Sequence, residues 1–275
     1  MFTLSSPHNH TPYCDGKSTA EDMVLSAIRH GFVSMGFSSH AKQDFDTFYA
    51  MDEAGEAAYI KEIKQLQTQY ADRLRIWLGM ERDSYSYADC APFEYVMGAV
   101  HYLPLPDGKM FPVDGPMDMV TSAIKDHFGG DSLLYANTYY GRLGSYIREY
   151  KPDIIAHFDL LMKNNRQGEL FDPEDPLFIK AATDAMDEAA LGCKLLEINT
   201  GGMARHGAPI PYPAPGLLAY WRQIGGQVIV AADCHQAAQI AYGYEEAARL
   251  IRAAGFKKAA ILGRHKALFE WIDVV

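Results

Sequence analysis

The stretch "SPHNHTPYCDG" at residues 6–16 begins at the end of a strand candidate, residues 2–6, and brings His8, His10 and Asp15 close together in the chain. If residues 2–6 form a strand, alternation sends His8 and His10 to the same side, just past its carboxyl end. The fold class depends on whether other strands end in the same way.

They do. Apolar runs at 32–39, 74–80, 95–102, 153–158, 194–199 and 227–232 read as strands. Each is nearly continuous in apolar character, as strands buried on both faces are. The second run ends in "SSHA" with His40, the third in "GMER" with Glu81 and the fourth in "GAVHY" with His101. The fifth ends in "IAHFD" with His157, and the seventh in "AADCH" with Asp233 and His235. Helical patterns separate the runs. Ser18 to Glu21 is a capping-box pattern opening a helix that Gly31 closes, and further helices are predicted at 52–72, 117–128, 132–149, 174–191, 244–254 and 265–272. Such alternation predicts an α/β fold with a mostly parallel sheet. Seven or eight units fit a closed barrel, in which all carboxyl strand ends meet on one face. A single domain over residues 1–275 is expected, with the run 258–262 as a further strand.

Composition narrows the function. The chain has 275 residues, 48% hydrophobic and 22% charged, enough to bury a core without disulfides. Cys14, Cys90, Cys193 and Cys234 form no CxxC pair, which reads as reduced thiols packing in a cytoplasmic protein. No leader pattern is visible, and no segment approaches the roughly 18 apolar residues of a membrane span. The net charge is −10 with no basic cluster, so neither nucleic acid nor membrane is expected as a partner.

Six of the 10 histidines fall at strand ends, with Asp15, Glu81 and Asp233 in matching places. Nine nitrogen and oxygen ligands exceed the usual four positions of one zinc. Imidazole mixed with carboxylate suits Zn, Mn, Fe or Co, so two or three divalent transition metals sharing a bridging carboxylate are expected. His30 and His127 lie in the last turns of helices, where the dipole favours a cation, and His265 opens the last predicted helix. None of these three is assigned chemistry.

The ordered set "HNH", "SSH", "GME", "GAVH", "IAH" and "ADCH", running from His8 to His235, resembles the polymerase-and-histidinol-phosphatase (PHP) family. Length, the opening "HNHTPYCDG" and the segment "GFSSHA" are most similar to its monofunctional phosphatases of L-histidinol phosphate. The resemblance implies a distorted (β/α)7 barrel, with the run 258–262 outside it, and a trinuclear centre. Carried over by position, one metal would be held by His8, His10, Glu81 and Asp233, and a second by the bridging Glu81 with His101 and His157. Asp15, His40 and His235 would hold the third. The chain departs slightly at "ADCH", where Cys234 stands at a position that is small in many relatives.

A phosphate monoester is then the expected substrate, and inorganic phosphate a product. Hydroxide between the first two metals would attack phosphorus, while the third would hold a phosphate oxygen. Arg166 in "LLMKNNRQG" and Arg205 in "NTGGMARHG" follow strands five and six, and both are candidate guanidinium clamps. Asp233 and His206 are both candidates to protonate the leaving alkoxide. An ammonium and an imidazole on the leaving group would suit acidic and aromatic loop residues, namely Tyr13, Phe45, Asp46, Tyr85, Tyr139 and Asp159. Four other readings compete. They are a phosphoesterase for another small ester (a nucleotide or aryl phosphate), an exonuclease beside a polymerase, an inactive metal-binding module, and an amidohydrolase-like barrel. The last commonly uses a carboxylated lysine, and here Glu81 rather than a lysine takes the bridging position.

Overall fold

Seven short parallel strands carry the architecture, and the computed structural model describes them within residues 2–165 and 168–274. They are β1 (Ser5–Ser6), β2 (Ser34–Phe37), β3 (Arg75–Asp83), β4 (Tyr95–Ala99), β7 (Ile154–Ile155), β8 (Leu195–Asn199) and β9 (Gln227–Ala231). They lie side by side in that order, each parallel to the next. The sheet curls until the tip of β1 meets the tip of β9. There Asn9 and Cys234 form a parallel bridge, with His10 N–H donating to Cys234 O at 2.9 Å and Cys234 N–H to His8 O at 3.2 Å. The ring closes at its carboxyl end, consistent with a distorted PHP-type barrel.

At the opposite end the ring is split, and β10 (Lys258–Leu262) enters the gap. It pairs with β9 through Ala260 and Ile229, and it meets β1 and β2 through Leu262 N–H to Ser5 Oγ at 3.2 Å and Ser34 Oγ to Leu262 O at 2.5 Å. The run expected outside the barrel is therefore a member of its sheet. The predicted helix 265–272 is also corrected. Residues Phe269–Asp273 form β11, antiparallel to β10 over five registered pairs. In "FEWID" the aromatic Phe269 and Trp271 flank Glu270, with β-branched Ile272 after them, a composition that fits an edge strand better than an isolated last turn of helix.

Glycine sets the packing inside the ring. The Tyr95 side chain crosses from β4 beneath β3 and β2, and a Cβ on Gly36 or Gly79 would overlap its ring. The hydroxyl of this wholly buried tyrosine donates to Pro7 O and to Phe37 O. It ties the first loop to the barrel floor.

Around the sheet lie α1 (Ala20–Arg29), α2 (Glu53–Gln69), α3 (Met117–His127), α4 (Ser132–Tyr150), α5 (Pro176–Ala189), α6 (Gly201–His206), α7 (Pro215–Gln223) and α8 (Tyr244–Ala253). The cap of α1 sits one residue later than expected. Thr19 accepts from Asp22 N–H, while Ser18 Oγ accepts from Ala237 N–H at 3.0 Å. The sequence reading passed over α7, although Pro215 at its first turn is a start signal. The predicted strand 95–102 is two strands. β4 stops at Ala99, and after His101 the chain turns into the hairpin of β5 (Tyr102–Pro104) and β6 (Met110–Pro112). No helix among the described residues is long and apolar enough to cross a membrane.

Candidate metal centre

All nine predicted ligands meet at the closed end of the ring, on the loops and last residues that follow six strands. His8, His10 and Asp15 follow β1, and His40 follows β2 and bridges to Glu81 in β3. His101, His157 and the pair Asp233 and His235 follow β4, β7 and β9. Glu81 is the hub. Its Oε1 lies 2.8 Å from His157 Nε2 and 3.3 Å from His101 Nε2. Its Oε2 lies 2.9 Å from His40 Nδ1, 3.0 Å from His8 Nε2 and 3.6 Å from His10 Nε2. Asp233 Oδ1 lies 3.2 Å from His10 Nε2, and Asp15 Oδ2 lies 3.0 Å from His235 Nε2.

The residues fit divalent cations. Four groups have ligand atoms within 4.8 Å of one another: His8–His10–Asp233, His8–Glu81–His157, His40–Glu81–His101 and His10–Asp15–His40–His235. His8 Nε2, His10 Nε2, Glu81 Oε2 and Asp15 Oδ1 are buried there without a hydrogen bond among the described residues. Imidazole nitrogens and carboxylate oxygens left unpaired at one point suit a metal, whereas burying them bare is costly.

A second layer orients these groups, and the sequence reading missed it. Glu197, fully buried in β8, places Oε1 2.6 Å from His8 Nδ1, while its Oε2 accepts His157 N–H at 2.6 Å and Asn199 Nδ2 at 2.9 Å. His8 therefore turns Nε2 to the cluster. Asp83 accepts the backbone N–H of His101 at 2.6 Å and lies 3.4 Å from its Nδ1. The available signals were a lone charge inside the buried strand "LLEIN", and an aspartate two residues after Glu81 on the same face of its strand.

Charge follows from this crowding. Burial works to raise the Glu81 carboxyl, but His8, His40 and His101 outweigh it and hold Glu81 well below the usual carboxylate range. Burial likewise opposes ionisation of Asp233, and Arg205 with His8 and His10 overcomes it. His8 and His101 are disfavoured as cations by burial, yet neighbouring carboxylates raise both well above an ordinary imidazole. Burial, reinforced by His235 and His40, lowers His10 to about 3. Asp233 also has φ of 44°, a left-handed conformation rare for a residue with a Cβ. Strain of this kind, costing about 1–3 kcal/mol, is held where surrounding contacts over-determine the backbone.

Arg205 supplies those contacts. Its guanidinium donates to Asp233 O, to Asp233 Oδ2 at 2.7 Å and to His235 Nδ1 at 3.0 Å. Arg205 and His206, in α6, line the cavity of about 740 Å³ above the cluster, together with Lys17, Lys163 and Tyr212. Lys163 is held by Asp114, at 2.9 Å from its Oδ2. Arg166 lies outside the described residues. Of the proposed leaving-group contacts, Tyr139 is a core residue whose hydroxyl donates to Phe158 O. Asp46 accepts from Tyr102 at 2.5 Å beside the rings of Phe45 and Tyr49. Burial raises Asp159 to about 6, against the Ala214 N–H that it accepts.

A curled sheet with a histidine–carboxylate cluster at its closed end defines a metal-dependent phosphoesterase. The chain belongs to the PHP domain family, which matches residues 6–201. Among curated relatives, a protein of Deinococcus radiodurans named "Probable histidinol-phosphatase" is 29% identical over 266 residues, covering 93% of this chain and 95% of that one. A chain from Listeria monocytogenes has the same fold, with a TM-score of 0.73 at 19% identity over 88% of this chain and 99% of the other. Histidinol phosphate phosphatase of Lactococcus lactis, solved with zinc, L-histidinol and phosphate, gives a TM-score of 0.61 at 19% identity over 94% of this chain and 97% of that one.

Proposed function

We propose that the protein hydrolyses L-histidinol phosphate to L-histidinol and inorganic phosphate, using two or three divalent transition metals. The convergence of five histidines on the two oxygens of Glu81 carries the phosphatase part of this reading. The substrate rests on relatives of that name that cover most of the chain.

His8, His10, Glu81 and Asp233 would hold one cation, Glu81, His101 and His157 a second, and Asp15, His40 and His235 a third. Bound there, the cations neutralise phosphoryl charge and acidify water. The protein's own groups do the rest. Arg205 keeps Asp233 ionised and in place, and its remaining N–H groups are available to a phosphate oxygen. Lys17 and Lys163 add positive charge around the same cavity. Because Arg205 and the imidazoles hold Asp233 deprotonated, His206 is the better donor to the leaving alkoxide. Arg166 would act as a second clamp.

The test is phosphate release by protein loaded with Mn²⁺, Zn²⁺ or Fe²⁺. L-histidinol phosphate should exceed nucleoside monophosphates and aryl phosphates in kcat/KM by at least about tenfold, within the range that specific polar contacts supply. A better ester in the panel would replace the proposed substrate.

A further inference from the structure

Beside the metal cavity lies a second cavity of about 520 Å³, and Tyr212 forms a wall of both. Met162, Pro173, Pro209, Ile210 and Pro211 give the second cavity an apolar lining. Among its described lining residues the charges are of one sign. The described lining residues include two carboxylates, Asp159 and Asp172, and no lysine, arginine or histidine. The metal cavity next to it holds Lys17, Lys163 and Arg205.

Asp159 is only 1% exposed. One of its oxygens, Oδ2, accepts Ala214 N–H at 2.8 Å, while Oδ1 is buried with no hydrogen bond among the described residues. The other buried polar group there is already engaged. Asn165 Oδ1 accepts from Leu170 and Phe171, and its Nδ2 donates to Phe171 O. The wall is also preformed. Tyr212 and Asn199 exchange both backbone hydrogen bonds, at 2.9 and 3.0 Å, and prolines fix the flanking backbone. Asp159 follows His157 by two residues, so their backbones lie within about 7 Å. Asp159 therefore stands close to the cluster along the chain, and the two cavities share the Tyr212 wall.

We propose that the second cavity is the leaving-group subsite, and that Asp159 Oδ1 accepts from a cationic nitrogen, ammonium or imidazolium, on the alcohol portion of the ester. An apolar pocket with one buried carboxylate oxygen lacking a donor is complementary to a small organic cation. This deepens the phosphatase reading and rests on it for the position of the phosphate. It makes Asp159 a specificity residue rather than part of the hydrolytic machinery.

Two variants of the metal-loaded full-length protein test it. Asp159→Asn removes the charge and keeps an acceptor for Ala214, and Ile210→Trp narrows the cavity while leaving the carboxylate in place. Each should raise KM for L-histidinol phosphate about tenfold or more, in line with loss of a charged hydrogen bond. Asp159→Asn should leave kcat/KM for p-nitrophenyl phosphate, which has no cation, within about twofold, whereas Ile210→Trp, which narrows the space open to either leaving group, should lower it for both esters. Calorimetric binding of free L-histidinol should weaken in parallel. Equal losses on both esters in Asp159→Asn would make Asp159 a structural carboxylate, and unchanged values for L-histidinol phosphate in either variant would empty the subsite of its role. Either result overturns the proposal, as does failure of the wild type to bind L-histidinol. Absence of phosphate release by the wild type would instead remove the phosphatase reading, and the binding measurement would still decide the subsite.

Discussion

His8 Nδ1 and Glu197 Oε1 lie 2.6 Å apart, and both side chains are fully buried. The pair connects the first strand of the ring to the sixth and determines which imidazole nitrogen faces the cluster. Carboxylate partners of this kind raise ligand basicity and orient the ring, and removing them usually costs about 10–100-fold in metal affinity. Glu197→Gln should therefore fold normally and bind metal about 10–100-fold more weakly in a competition against a chelator of known affinity. Undiminished affinity would reduce Glu197 to a packing residue.

Glu81 carries a sharper expectation. Both of its oxygens are shared among histidines from different strands, so Glu81→Ala removes the one group common to two of the proposed sites. Elemental analysis should show at least about one fewer metal per chain, and kcat should fall by about 10³-fold or more, as when the principal charge-stabilising group of a site is removed. Retention of the full complement would mean that Glu81 does not bridge.

Arg205→Ala strips the donors from Asp233 and His235. A loss of about 10²–10³-fold in kcat is expected, comparable to deletion of a preorganised donor. Arg205→Lys should recover only part of it, because an ammonium cannot reproduce the planar fork. Rate constants equal to the wild type in both variants would exclude Arg205 from the site.

Metal loading should release protons. In the metal-free protein, burial disfavours charged imidazoles, but nearby carboxylates raise His8 and His101 well above the ordinary value, which favours their protonated forms. A divalent cation must displace those protons. Affinity should rise with pH, and calorimetry in buffers of different ionisation enthalpy should report at least about one proton released per chain. A buffer-independent heat would contradict this.

The barrel floor makes a prediction about stability alone. A Cβ at Gly79 would overlap the Tyr95 ring, which is wholly buried and hydrogen-bonded through its hydroxyl. Gly79→Ala should cost about 1–3 kcal/mol in urea unfolding, as overpacking a tight core does. A stability equal to the wild type would show that the ring can shift aside.

Much of this was legible in the chain before it folded. Apolar strands ending in His, Asp or Glu require those residues to converge if the sheet is parallel and curled, because parallel strands place all their carboxyl ends on one side. His8, His10, Asp15, His40, Glu81, His101, His157, Asp233 and His235 all stand at or just past such strand ends in the chain itself. Local pattern fails where meaning depends on a partner distant in sequence. Glu197 is a single charge in an apolar strand until His8, 189 residues away, is set beside it. Asp159 is one loop carboxylate among many until the segment around Ala214 buries it.

The C-terminal region shows the same boundary. Residues 269–273 carry too short a pattern to distinguish a last helical turn from a strand, and the unpaired edge of β10 made the choice. What the linear sequence determined about this protein is the set of histidines and carboxylates at the strand ends and the strand–helix alternation that gathers them, because both are local and periodic. What only the tertiary structure decided is which carboxylate orients which imidazole, how the ring closes at one end and splits at the other, and where a buried oxygen is left without a donor. Those depend on distances between segments that are remote along the chain, and no local pattern encodes them.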